Sequence, residues 1–116
     1  MVSDFRYYMC LLVATFLAAG GQILFKMGVS GRTALMDYVN LPLAAGLASY
    51  GVSTILWLFA LSRLPLKVVY PFTALTFVLV YAGAVWILGE KLSMRGVFGI
   101  GLVMVGLSMI IFERAA

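Results

Sequence analysis

Residues 38–89, YVNLPLAAGLASYGVSTILWLFALSRLPLKVVYPFTALTFVLVYAGAVWILG, carry charge only at Arg63 and Lys67. On either side of that pair, the runs Tyr38 to Ser62 and Val68 to Gly89 match or exceed the roughly 17–25 apolar residues that take a helix across a bilayer. The connection Arg63-Leu64-Pro65-Leu66-Lys67 is long enough only to turn the chain round, so these two spans form an antiparallel hairpin. Working outward, a third uncharged run precedes the hairpin from Tyr7 to Phe25, and a fourth follows it from Gly96 to Phe112. The runs are continuous, whereas barrel strands would alternate polar and apolar over about 10 residues. The expected fold is an all-α integral membrane protein: four transmembrane helices in an up-down antiparallel bundle, with spans near 5–26, 42–62, 68–88 and 95–112. They form one four-helix domain over residues 1–116.

Composition agrees. A 116-residue chain that is 65% hydrophobic and 10% charged, with a mean hydropathy of +1.14, lies far from soluble domains, in which about 25% of residues are charged. The net charge of +4 comes from basic residues that mostly cap the spans, so nucleic acid is not an expected partner. Arg6, Arg63, Lys67 and Arg114 fall at one set of ends, and Lys26, Arg32, Lys91 and Arg95 at the other. That balance gives no orientation by positive charge; only if Lys26 is counted inside the membrane does it tip toward both termini in the cytoplasm. With no histidine, the usual general base and a common metal ligand are missing, and Cys10 has no partner for a disulfide. No enzyme activity, metal or cofactor is expected. The first run reaches Ala18, Ala19 and Gly20 as a signal peptide would, but it continues through Ile23, Leu24 and Phe25, which favours a retained span.

No carboxylate interrupts any of the four runs, so the spans offer no acid to hold a proton or cation at the midplane. The polar residues they do contain form stripes. On span 1, Thr15, Ala18, Ala19, Gln22 and Lys26 recur at three- and four-residue steps. A lysine at mid-membrane costs about 2.5–3.5 kcal/mol, so Lys26 either faces a polar cavity or reaches for the headgroups. Beside Gln22 it can grip one anionic group. Span 2 carries Ser49, Tyr50, Ser53, Thr54 and Trp57, whose hydroxyls either line a path or pack helices together. Span 3 presents Tyr70, Thr73, Phe77 and Tyr81 on one face with Thr76 beside it, and Pro71 can kink the helix next to Tyr70. Tyr7, Tyr8 and Tyr38 read as interfacial anchors. Span 4 shows a different face: Gly99, Leu102, Val103 and Gly106 allow another helix to approach closely, within the chain or from a second one. Pro42 suits the first turn of span 2, Gly89 the end of span 3 and Ser93 the N-cap of span 4.

Lys26 eight residues after Ala18, the Tyr70-Pro71 start of span 3, the Gly89-Glu90-Lys91-Leu92 exit and the Gly99 to Gly106 face resemble the four-helix members of the drug/metabolite transporter superfamily. In its small multidrug resistance branch an essential glutamate sits two turns before the lysine of span 1; here that position is Ala18. Gly21-Gln22 with Lys26, and Tyr70-Pro71-Phe72 followed by Leu75, Phe77 and Val78, are more similar to the small flippase subunits proposed to move 4-amino-4-deoxy-arabinose-phosphoundecaprenol. The resemblance implies a bacterial inner membrane, an undecaprenyl-phosphate-linked sugar as the lipid partner, and work as a homodimer or as a heterodimer with a related four-helix subunit. The expected site is a groove between spans 1, 2 and 3 lined by Gln22, Lys26, Ser53, Trp57, Tyr70 and Thr73, with Gly99, Leu102, Val103 and Gly106 at the dimer interface. Two other readings stand beside it: export of a small cation or metabolite, and a non-transporting membrane partner.

Overall fold

A computed structural model of the chain describes residues 2–31 and 33–112; Arg32 and Arg114, two of the basic residues weighed above, lie outside them. The architecture is all-α. Helix α1 runs Val2–Val29, α2 Leu41–Leu61, α3 Leu66–Val69, α4 Phe72–Trp86 and α5 Met94–Ile111, with a short 3-10 helix at Leu35–Tyr38. Three segments are long and apolar enough to cross a membrane: Phe5–Val29, Leu41–Leu61 and Leu66–Trp86. At 1.5 Å per residue they reach about 37, 32 and 32 Å, against a hydrocarbon core of about 30 Å. The fourth apolar helix, Met94–Ile110, is shorter, at about 26 Å.

The expected punctuation sets the ends. Pro42 lies in the first turn of α2, Gly89 adopts φ +75° after α4, and the Ser93 hydroxyl accepts from the Gly96 N–H at 3.0 Å to cap α5. Asn40 does more than the sequence pattern indicated. Its Oδ1 accepts from the Leu43 N–H at 2.9 Å, while its Nδ2 donates to the carbonyls of Gly28 and Asp37, both at 2.9 Å. One side chain thus caps α2, closes the 3-10 turn and ties both to the last turn of α1. Asn40→Ala removes all three bonds, and thermal unfolding in detergent should register a loss of about 1–2 kcal/mol, the cost of a lost N-cap at its upper end.

Helices α1 and α2 are antiparallel and pack along their whole shared length. Ser49 Oγ donates to the Leu17 carbonyl and Ser53 Oγ to the Ala14 carbonyl, each at 2.7 Å. Glycine makes this approach possible. A Cβ on Gly21 would lie 3.1 Å from the Gly46 carbonyl oxygen, and one on Gly46 would lie 2.8 Å from the Phe25 ring. In lipid, where apolar burial gives no net drive, such close packing and bonds of about 0.6 kcal/mol are what hold helices together. Helix α4 runs parallel to α1, with Val69 in one cluster with Tyr7 and Leu11, and Gly83 set against Ile23. Helix α5 returns beside α4, where Gly96 leaves room for the Tyr81 hydroxyl.

Two expectations are corrected here. Tyr7 is no interfacial anchor: it is 9% exposed, its ring centroid lies 5.0 Å from that of Phe59, and it joins Leu11, Ala60, Leu64 and Val69 in the apolar core. The cause is that α1 begins before it, so the last turns of α2 cover it. Tyr8 and Tyr38 remain exposed. Pro71 does not merely kink span 3 but divides it into α3 and α4, and the Tyr70 carbonyl accepts from both the backbone N–H and the hydroxyl of Thr73, at 2.9 and 2.6 Å.

Candidate functional site

Helices α2 and α4 both pack on α1 but hardly touch one another. The gap between them is a half-open cleft of about 480 Å³. Its floor is α1, through Ala14, Thr15, Ala18 and Gln22. One wall is α2, through Tyr50, Ser53, Thr54 and Trp57; the other is α4, through Thr73, Thr76, Phe77 and Val80. Each wall recurs at steps of three and four, as one face of a helix must. Ala18 is close to the middle of the Phe5–Val29 segment, so the cleft lies about midway along α1. At the Trp57 and Thr73 end it is closed by the apolar core, against which Trp57 and Phe72 pack.

Of the six residues expected to line a groove between the first three spans, Gln22, Ser53, Trp57 and Thr73 meet in this cleft. Lys26 and Tyr70 do not line it. Lys26 is exposed in the last turn of α1, one turn past Gln22 and about 12 Å along the axis from Ala18. Tyr70 is 62% exposed at the opposite end, and acts on the cleft only through its carbonyl, which holds the Thr73 hydroxyl. Ser53 is buried and spends its proton on Ala14, so it pins α2 to α1 as well as lining the wall.

The pattern had more to give. Thr15 lies on the stripe of Gln22, Thr54 precedes Trp57 by three, and Thr76 and Val80 follow Thr73 at three and seven; all of them line the cleft. Thr15, Thr54 and Thr76 share the stripes of the expected lining residues, and Val80 continues the α4 face by one more turn. On α5, a Cβ at Gly99 or Gly106 would meet nothing within 4 Å and Leu102 is 66% exposed, while Val103 is half-buried.

No charged side chain lines the cleft, and among the described residues no group of His, Cys, Asp or Glu is placed to hold a metal. Asp37 lies in the 3-10 turn and Glu90 in the α4–α5 connection, both exposed and outside the long apolar segments. The site is therefore a neutral, mainly apolar cleft carrying scattered hydroxyls and one amide, with a cation one turn beyond its end.

Comparison with known proteins yields a consistent set of relatives. Over 101 residues, the chain is 34% identical to a protein of Aeromonas hydrophila described as "Probable 4-amino-4-deoxy-L-arabinose-phosphoundecaprenol flippase subunit ArnE", covering 83% of this chain and 89% of the relative. The protein of Enterobacter sp. with the same description is 31% identical over 103 residues, covering 89% and 94%. A Shewanella sediminis protein described as the ArnF subunit is 43% identical over 72 residues. There the match covers 60% of this chain and half of the longer relative. No family model matches the chain. No solved structure matches it either.

Proposed function

The chain belongs to the family of 4-amino-4-deoxy-L-arabinose-phosphoundecaprenol flippase subunits, and from that premise we propose that it moves an anionic, lipid-linked aminosugar across a bacterial inner membrane. The observation that carries this reading is the cleft: a gap open sideways between α2 and α4, with hydroxyls and an amide set among apolar side chains, in a chain whose outer faces are apolar. A lipid-linked substrate needs that combination. Its head group requires polar surface to cross, while its long tail stays in the bilayer beside the protein, and a lateral gap lets the two remain joined.

The phosphate needs a cation and donors. Lys26 supplies the first and Gln22 the amide, from consecutive turns of one helix face. Ala18 occupies the floor where a proton-coupled exporter of this architecture would hold its acid, so head-group movement follows the lipid gradient and draws on no buried proton site. Helix α5 acts as the fourth span, and its face at Gly99 and Gly106, where a Cβ would find open space, joins a related four-helix subunit.

Native mass spectrometry of gently extracted protein tests this reading, because one spectrum reports both oligomer and bound lipid. A dimer of four-helix subunits carrying an undecaprenyl-phosphate glycolipid is expected; a lipid-free monomer would contradict it. Gly106→Leu should shift the same spectrum from dimer to monomer, whereas an unchanged dimer would move the interface off α5.

A further inference from the structure

Six hydroxyls line the cleft, and five of them, all but the Tyr50 phenol, have already given their protons away. Thr15 donates to the Leu11 carbonyl at 2.9 Å, Ser53 to Ala14 at 2.7 Å and Thr54 to Tyr50 at 3.0 Å. Thr73 donates to Tyr70 at 2.6 Å and Thr76 to Phe72 at 3.2 Å. All five acceptors are main-chain carbonyls, four of them in α1, α2 or α4 and the fifth, Tyr70, in the break before α4. A hydroxyl has one proton and two lone pairs, so these five side chains turn acceptors toward the cleft. The lining offers few donors in return: the Gln22 amide, the Trp57 indole N–H and the Tyr50 hydroxyl.

A surface of lone pairs without a carboxylate suits a ligand rich in N–H and O–H groups and repels one that can only accept. Phosphate is of the second kind. An amino sugar is of the first: its ammonium brings three donors, and each ring hydroxyl one more. From this asymmetry we infer that the cleft hydroxyls recognise the sugar of the substrate through its ammonium and hydroxyl protons, while the phosphate stays outside them, at Lys26. The inference rests on the lipid-linked reading above and divides its substrate between two subsites. The lining is neutral, so selection depends on hydrogen-bond direction rather than on charge, and binding should survive salt at the sugar end while weakening at the phosphate end.

The test uses Thr54→Val and Thr76→Val, which keep the shape of the side chain, remove its lone pairs and avoid the buried Ser53 and Thr15. Binding to the detergent-solubilised protein is followed by Trp57 fluorescence in a Trp86→Phe background. The two probes are undecaprenyl phosphate bearing the aminosugar and undecaprenyl phosphate alone. Each valine is expected to weaken the aminosugar lipid about fivefold, as loss of one hydrogen bond would, leave the bare phospholipid unchanged, and be reversed by serine at the same position. An equal loss for both probes would overturn the division into subsites, and so would no loss for either. If the unsubstituted protein bound neither lipid, the lipid-linked reading itself would fall, and this inference with it; binding of both lipids with no effect of the valines would remove the inference alone.

Discussion

Lys26→Ala is expected to lower head-group translocation in reconstituted vesicles at least about tenfold while leaving the protein folded. Charge-assisted hydrogen bonds contribute about 1.5–3 kcal/mol, which is one to two orders of magnitude in an equilibrium, and Lys26 is the cation nearest the cleft along α1. Folding should be spared because the part of Lys26 with a structural role is its carbonyl, which accepts from the N–H and hydroxyl of Ser30 at 3.0 and 2.6 Å. Its ammonium is exposed and enters no ion pair among the described residues. Lys26→Arg should keep most of the activity, since a guanidinium also binds phosphate. Gln22→Ala should cost less than Lys26→Ala, because an amide brings donors without charge. Full translocation by Lys26→Ala would remove the phosphate grip from the mechanism.

The largest effect on stability is expected from Gly28→Val. A Cβ at that position would lie 2.9 Å from both the backbone nitrogen and the Cβ of Leu43, and 3.0 Å from the Asn40 side chain. A flexible side chain could swing aside from such a contact; the first turn of α2 cannot. Gly28 also accepts the Asn40 bond that holds α1 to α2, so a displacement breaks the tie as well as the packing. Overpacking costs about 1–3 kcal/mol, and valine here should reach the upper end of that range or prevent folding. Thermal unfolding in detergent measures it, with Gly99→Ala as the comparison. Gly99 has open space around its Cβ position and should leave the melting temperature of the monomer unchanged.

Those two glycines mark where the sequence could be read and where it could not. Hydropathy and the five-residue connection were enough to place the long helices, because span length is set by the bilayer and needs no knowledge of neighbours. Helical periodicity was enough to place Gln22, Ser53, Trp57 and Thr73 on faces that converge. Which helix meets which is another matter. Gly99 and Gly106 of span 4 look as suited to close contact as Gly21, Gly28 and Gly46, yet a Cβ on either would meet nothing within 4 Å, while the latter three have a helix against them, since that depends on the partner helix rather than on the glycine. Hydrogen-bond direction was equally hidden. A threonine on a stripe reads as a donor or an acceptor until its backbone carbonyl is seen to take the proton. Tyr7 was misplaced because an aromatic near a span end reads as an anchor unless the covering helix is known.

Translocation of aminosugar-phosphoundecaprenol in vesicles containing this chain, alone and with the proposed second subunit, measured with and without a proton gradient, bears most directly on the acid-free cleft. With Ala18 on its floor and no carboxylate in any span, the rate should exceed that of protein-free vesicles and stay the same when the gradient is collapsed. A rate that vanished with the gradient, or never rose above the protein-free value, would contradict it.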